Sequence, residues 1–340
     1  MTDGSPWVLL SLAPARDDRV RGWFAGIPNL DVAFPAARTQ EAVLARIADA
    51  DIVVSDWSSA LHVDDAAVGA ARRLSFVMSP SVGLDSLDLD ALTAAGVVVA
   101  NTAGLNAASV AEWCLAAALA VARSLAWVDR QVRDGAWPQL ELPERGSTEL
   151  AGFDVGVLGF GAVGSRVATL FRAIGCDVAY WTRRRRSEDE ERGATWLPLA
   201  ELASRSDVLV VNLSLAPETR GLVDSALLAD LPRGAIVVDA SRGGIVDHAA
   251  LLGAIDAGTL RGAAIDVFEH EPLPDDSPLR RSDRILLSSH AASTTAQSLS
   301  RVFGLVTEDV RRAVAGEPIL SVVNGRGPVV VRRAADLAAR

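Results

Sequence analysis

Three short apolar runs, residues 235–239, 263–266 and 285–287, are each followed by a side chain that can carry charge or a proton: Arg242, Glu271 and His290. In an open parallel α/β sheet the ligand crevice lies beyond the carboxyl ends of the strands. A guanidinium, a carboxylate and an imidazole gathered there could hold an anionic substrate, tune a proton donor and deliver the proton. That equipment suits reduction of a carbonyl beside a carboxylate, given a hydride source. Each residue alone also has a structural reading; their shared position at strand ends makes the site hypothesis. The other histidines have weaker contexts. His62 lies in a polar helix start, His248 in a helix start where exposure is expected, and His270 between Glu269 and Glu271.

Residues 155–182 offer a place for the hydride source. Val155, Val157 and Leu158 form a short apolar strand, and Gly159, Gly161 and Gly164 follow in G-x-G-x-x-G spacing. Val163, Val167, Leu170, Phe171 and Ile174 then fall on one helical face, Gly175 caps that helix, and a second strand begins at Val178. In such a βαβ unit Gly159 allows the tight turn and Gly161 lets the backbone approach a pyrophosphate. Gly164 lets helix and strand pack closely. A dinucleotide is therefore expected, its phosphates facing free N–H groups at the helix start. NAD sites usually place an acidic residue at the end of the second strand. Here Trp181 stands 22 residues after Gly159, followed by Thr182 and the run Arg183, Arg184, Arg185, Arg186, with no carboxylate before Glu188. Guanidinium groups suit a 2′-phosphate, so NADP(H) is favoured and NAD(H) remains possible; a solvated basic loop is the plainer alternative.

The elements behind these residues alternate strand and helix along the chain. Strands are expected over 7–12, 52–55, 74–78, 97–100 and 208–213 besides those already placed, with helices over 40–50, 86–95 and 302–315. One long Ala-rich helix is expected from 107 to 133, ended by Asp134-Gly-Ala-Trp-Pro138. The fold class is α/β: two Rossmann-like or flavodoxin-like doubly wound parallel sheets with a cleft between them. A discontinuous substrate domain (1–103 with 291–325) flanks a dinucleotide domain (104–290), and 326–340, with Arg326, Arg332, Arg333 and Arg340, is expected to be a peripheral tail. The connection Ser79-Pro-Ser-Val-Gly-Leu-Asp85 follows a strand, and the backbone N–H groups of Val82 and Gly83 could hold a small carboxylate, or form an ordinary turn. Trp57, at another strand end, either lines the substrate pocket or packs.

Composition narrows the classes. At 340 residues the chain can build two cores. A net charge of −10 argues against nucleic acid or an anionic membrane as main partner. All 33 basic residues are arginine, which excludes a Schiff-base or P-loop lysine. Cys114 and Cys176 lack metal-ligand spacing and are read as buried apolar residues, and no metal is expected. Residues 113–127 are too short and too interrupted for a membrane span, and the N-terminus lacks the pattern of a signal peptide. A cytoplasmic protein is expected.

Taken together, the glycine unit, Ser241-Arg-Gly-Gly-Ile-Val-Asp-His-Ala-Ala-Leu251, Gly262-Ala-Ala-Ile-Asp-Val-Phe-Glu-His-Glu-Pro-Leu-Pro274 and Ser288-Ser-His-Ala-Ala-Ser293 resemble the D-isomer-specific 2-hydroxyacid dehydrogenases, over nearly the whole chain. The resemblance is strongest to the glyoxylate/hydroxypyruvate reductase branch. It implies that Arg242 binds the substrate carboxylate and carbonyl, helped by Val82 and Gly83. It also implies that His290 is the acid/base, with Glu271 paired to its imidazole and Asp266 supporting the pair. Cofactor contacts are implied for Gly159, Phe160, Gly161, Ala162, Val163 and Gly164 at the first turn, and for Trp181, Thr182, Arg183 and Arg184 at the ribose. Asn212, Leu213 and Thr219 would follow, then Ala240, Ser241, Asp266 and His290 around the nicotinamide. Gly135-Ala-Trp137 resembles a segment that reaches a neighbouring subunit's site, implying a homodimer through the cofactor domain. The sequence departs from the family where Ser289 replaces the usual proline before the histidine, loosening that loop, and where Asp239 replaces Asn and Ser214 a frequent proline. The phosphite-oxidising members use a lysine near Val82, absent here. The expected function is reduction of a small 2-oxoacid (glyoxylate, hydroxypyruvate or pyruvate-like) to the D-2-hydroxyacid, NADPH favoured. The alternatives are the same reaction with NADH on another 2-oxoacid, or a non-catalytic dinucleotide-sensing dimeric scaffold.

Overall fold

A computed structural model describes residues 5–58 and 60–333. The chain divides into two compact units, Met1–Leu105 with Ala296–Arg340, and Asn106–Thr295. The crossings thus fall at 105/106 and 295/296, against the expected 103/104 and 290/291.

In chain order the first unit contains β1 (Trp7–Ser11), α1 (Asp17–Phe24), β2 (Leu30–Ala33), α2 (Gln40–Ile47), β3 (Ile52–Val54), α3 (Asp65–Ala70), β4 (Phe76–Met78), α4 (Leu89–Ala94) and β5 (Val98–Ala100). Its parallel sheet runs β2-β1-β3-β4-β5, so strand order reverses between β1 and β3. β3, β4 and β5 are buried throughout, as continuous apolar runs in a doubly covered parallel sheet must be. Thr39, Asp64 and Asp88 start α2, α3 and α4 by accepting from the N–H groups of Ala42, Ala67 and Ala91.

The second unit begins with α5 (Ala107–Ala122), α6 (Leu125–Arg133), α7 (Glu141–Arg145), β6 (Asp154–Leu158), α8 (Ala162–Ala173), β7 (Asp177–Trp181), α9 (Glu188–Glu191) and β8 (Thr195–Trp196). It continues through α10 (Leu199–Arg205), β9 (Val208–Val211), α11 (Ser225–Asp230), β10 (Ile236–Asp239), α12 (His248–Asp256), β11 (Gly262–Ile265) and β12 (Ile285–Leu287). The parallel sheet runs β12-β11-β10-β9-β6-β7-β8. Its order reverses between β6 and β9, the place where such sheets open a ligand crevice. The single helix expected over 107–133 is instead two, joined at 60°. Ser124 sits there in the left-handed region (φ 51°), a break that no glycine or proline announces. Beyond it α6 buries no residue, whereas α5 buries Val110, Ala111, Cys114, Ala118 and Val121 in the core. Among the described residues no single helix is long and apolar enough to cross a membrane.

The chain then re-enters the first unit through α13 (Ala296–Ala315). Residues 326–333, expected to be peripheral, pack against that unit instead. Val330 is buried. Arg332 donates to the fully buried Asp51, which Arg73 also grips through two nitrogens, and to the carbonyls of Ser5 and Pro6. Arg333 donates to the Ala95 carbonyl. An unpaired buried carboxylate is costly, so Asp51 explains why the arginines fold back. Arg340 lies outside the described residues.

Candidate active site

At the first turn of the second unit, Gly159 adopts φ 93° and its N–H donates to the Trp181 carbonyl, closing the turn between β6 and β7. A side chain on Gly164 would place its first carbon 2.0 Å from the Gly159 carbonyl oxygen, and one on Gly159 would meet Asn212 backbone at 2.6 Å. Gly161 has open space where its side chain would be, and as N-cap of α8 it puts no side chain over the helix amides. Phe160 is buried, stacked on Tyr180, while Ala162 is exposed and Val163 half-buried. Beyond β9, the Asn212 Nδ2 is buried without a partner among the described residues. Its Oδ1 lies 3.9 Å from the Cys114 sulfur, whose thiol burial pushes far up and keeps protonated. A glycine turn, uncovered helix amides and an orphaned amide donor at the sheet's reversal point fit a dinucleotide.

At the end of β7 the basic run is sorted by its contacts. Arg185 makes a two-pronged bond to Glu191, which also accepts from the buried Tyr180 hydroxyl; that hydroxyl accepts in turn from the Arg186 N–H. Thr182, expected at the ribose, turns its hydroxyl to the Arg184 carbonyl. Trp181 is half-buried against the core, and Arg183 and Arg184 are exposed, with Arg183 3.8 Å from Glu218. Thr219 is likewise engaged locally, donating to Ser214 and accepting from the Ala216 N–H. Leu213 is half-buried beside Gly159.

A histidine–carboxylate pair forms where β11 and β12 end. His290 Nδ1 lies 2.8 Å from Glu271 Oε2. A carboxylate only accepts, so Nδ1 carries the proton in that bond. The other Glu271 oxygen accepts from the Phe268 N–H at 2.9 Å. Burial raises the Glu271 carboxyl, but the His290 bond, the Phe268 amide and the charges of His290 and Arg242 hold it below its ordinary value. Asp266 does not touch the imidazole. It is 2% exposed and its backbone carbonyl accepts from the His290 N–H, while its carboxylate accepts from Ala291 and Ala292. Three consecutive amides are thereby fixed, so the loop is held without the proline that Ser289 replaces. His290 itself sits at φ 54°.

Arg242 follows β10, and its Nη1 donates to the Ser241 carbonyl at 2.8 Å. Ala240 donates its N–H to Val211, and the Ser241 hydroxyl and N–H both donate to the buried Asp239. The expectation that His248 is exposed fails: its side chain is 14% exposed, with Nε2 3.4 Å from Asp239 Oδ2. The sequence signal was available, since an apolar strand ending in a carboxylate must find donors, but nothing local named His248 as one.

In the first unit the loop after β4 ties its carbonyls inward. Ser81 accepts from Thr102, Val82 from Asn101 Nδ2, and Gly83 from the Ser81 hydroxyl. Val82 is 37% exposed, and its N–H and that of Gly83 have no acceptor among the described residues. Trp57 is half-buried, 5.7 Å from the Phe303 ring and 6.4 Å from that of Trp23.

The sequence profile described as "D-isomer specific 2-hydroxyacid dehydrogenase, NAD binding domain" matches residues 115–292, and the chain belongs to that family. It is 38% identical over 292 residues to the D-3-phosphoglycerate dehydrogenase of Mycobacterium tuberculosis, covering 86% of this chain and 54% of that protein. The chain thus spans about half the length of those relatives. It is 35% identical over 302 residues to the glyoxylate reductase of Aeropyrum pernix, covering 86% and 88% of the two chains. Among solved structures, an NADPH-dependent glyoxylate/hydroxypyruvate reductase from Sinorhizobium meliloti, in complex with NADP and malonate, aligns with a TM-score of 0.83 at 25% identity, covering 97% of this chain and 100% of that one. The D-mandelate dehydrogenase of Rhodotorula graminis aligns with a TM-score of 0.85 at 23% identity, covering 96% of this chain and 100% of that one, a likeness of fold alone.

Proposed function

We propose that this protein reduces a small 2-oxoacid to the D-2-hydroxyacid, with NADPH preferred over NADH. The observation that carries the reading is the 2.8 Å His290–Glu271 pair. It stands on the same carboxyl edge of one sheet as the glycine turn and Arg242. A nicotinamide dinucleotide held at the glycine turn would be the hydride source for the carbonyl carbon. His290 gives the Nε2 proton to the oxygen as its negative charge develops, and Glu271 stabilises the imidazolium before transfer and orients the ring. Arg242 pairs with the substrate carboxylate and polarises the carbonyl. The amides of Val82 and Gly83 are further candidates for the carboxylate, and Trp57 for the substrate's side. Gly159, Phe160, Gly161, Ala162, Val163, Gly164 and Asn212 would hold the pyrophosphate and its surroundings. Ala240, Ser241 and Asp266 would shape the nicotinamide end.

The preference for NADPH rests on Arg183 and Arg184, exposed beyond β7 with no carboxylate at the strand end. The protein is read as a cytoplasmic homodimer, which suits two buried free thiols. The exposed Trp137 (80%) and Leu140 (85%), with Leu125 and Val132 on α6, support a second copy covering this face. Oxidation of NADPH, and separately NADH, is followed by absorbance with glyoxylate, hydroxypyruvate, pyruvate and larger 2-oxoacids. Turnover with one acid and NADPH supports the reading. Faster turnover with NADH keeps the enzyme and removes the phosphate-site argument. Silence with both overturns the reductase reading and favours a dinucleotide-sensing scaffold.

A further inference from the structure

We propose that His248, acting through the buried carboxylate of Asp239, is a positioning residue for Arg242 and thereby for the substrate carboxylate. The inference rests on the reductase reading of Arg242 and adds a residue to which nothing in that chemistry assigns a role.

Asp239 ends β10 and is fully buried. A carboxylate there demands donors, because burying charge without partners is costly. It has two from Ser241, the N–H at 3.1 Å and the hydroxyl at 2.5 Å, and a third from His248 Nε2 at 3.4 Å. His248 is the ionisable side chain seen paired with Asp239. Since the carboxylate accepts, Nε2 carries the proton. Asp239 holds Ser241 through its N–H and hydroxyl, and the carbonyl of that same residue receives Arg242 Nη1. A shift of Asp239 therefore moves Ser241 and, one residue on, the guanidinium.

His248 also faces the second catalytic segment. Its ring meets the Phe268 ring edge-on at 5.9 Å, and Phe268 supplies the N–H that holds Glu271. A side chain on Gly243 would lie 2.0 Å from the Phe268 carbonyl oxygen, so the backbone beside Arg242 is flush against the segment bearing Glu271. His248 thus stands at the junction of the two segments that carry the substrate anchor and the partner of the proton donor. A helix-capping role does not account for it. Asp247 already caps α12 by accepting from Ala249 and Ala250.

The test uses the full chain with His248→Ala and His248→Gln. Steady-state kinetics vary the 2-oxoacid at saturating NADPH, with NADPH affinity by fluorescence titration and Tm by calorimetry. His248→Ala is expected to raise KM for the 2-oxoacid by about tenfold, the scale of one hydrogen bond to a charged group. Its kcat should fall less than KM rises, and NADPH affinity should hold. Glutamine, which can still donate to Asp239, should recover most of the loss. An unchanged KM in His248→Ala, or a glutamine variant no better than alanine at equal Tm, overturns the inference while wild-type turnover keeps the reductase reading. If wild type reduces no 2-oxoacid, that reading falls. Oxalate titrated into the NADPH complexes then decides the inference separately: weaker binding to His248→Ala supports it, and equal or absent binding across wild type and variants overturns it.

Discussion

Replacing Arg183 with serine should separate the two nicotinamide cofactors by energy alone. A charge-assisted hydrogen bond from guanidinium to phosphate contributes about 1.5–3 kcal/mol when well formed. Arg183 is 71% exposed and shares its charge with Glu218, itself 61% exposed, at 3.8 Å, so solvent screening and competition place it at or below the lower end. A loss of about 1.4 kcal/mol is tenfold in affinity, felt by NADPH and not by NADH. Glu218→Gln should act the other way. It removes a carboxylate that competes for Arg183 and that would repel a phosphate bound there, so NADPH should bind more tightly and NADH should be unaffected. The assay is fluorescence titration of each cofactor, with kcat/KM ratios as a second measure. Equal weakening of both cofactors by Arg183→Ser would refute the 2′-phosphate assignment, since a residue that reads only the 2′-phosphate cannot affect a ligand that lacks it.

Four other outcomes follow from the geometry. Glu271→Gln keeps the volume and a hydrogen bond but removes the charge facing the imidazolium, so kcat should fall about 10²-fold, the low end for a general-acid contribution, with cofactor affinity unchanged. Gly164→Ala drives a methyl into the Gly159 carbonyl, and loss of dinucleotide binding by titration should accompany a lowered Tm. Glu308, bonded to Arg311 and Arg312, is held down to about 2. Its unfolded value is about 4.3, so its stabilisation is present above that pH and is lost as pH falls through the folded value. The Tm of wild type and Glu308→Gln should therefore converge across that acid window. Arg332→Ala leaves Asp51 with Arg73 and the Val8 N–H, and urea unfolding should show a loss of about 2 kcal/mol, below the 3–5 of a fully broken buried pair.

Much of the architecture was legible because the apolar strands of a parallel sheet are continuous, and because Gly159, Gly161 and Gly164 each answer a separate steric demand. β2 was missed because Leu30–Ala33 is an edge strand, half-exposed and carrying Asp31. β8 is two residues long. The break at Ser124 leaves no mark in composition, since the apolar spacing runs on across it. At the site, strand ends pointed to Arg242, Glu271 and His290, but not to the contacts that hold them. Asp266 was read as supporting an imidazole and instead grips backbone amides, a role that depends on where a distant loop folds. The arginine run looked uniform in sequence. Only packing reveals that Glu191, held by the Tyr180 hydroxyl, engages Arg185 while Arg183 is left exposed.

His290 holds the left-handed backbone conformation, which side chains rarely adopt and glycine adopts freely. The residue that the proposed reaction needs and the residue that the backbone accepts most readily are therefore different. His290→Gly should have no turnover. A library of this protein selected for heat resistance alone puts no pressure on keeping the histidine, so directed evolution of a tougher variant needs an activity screen at every round to keep the proposed proton donor.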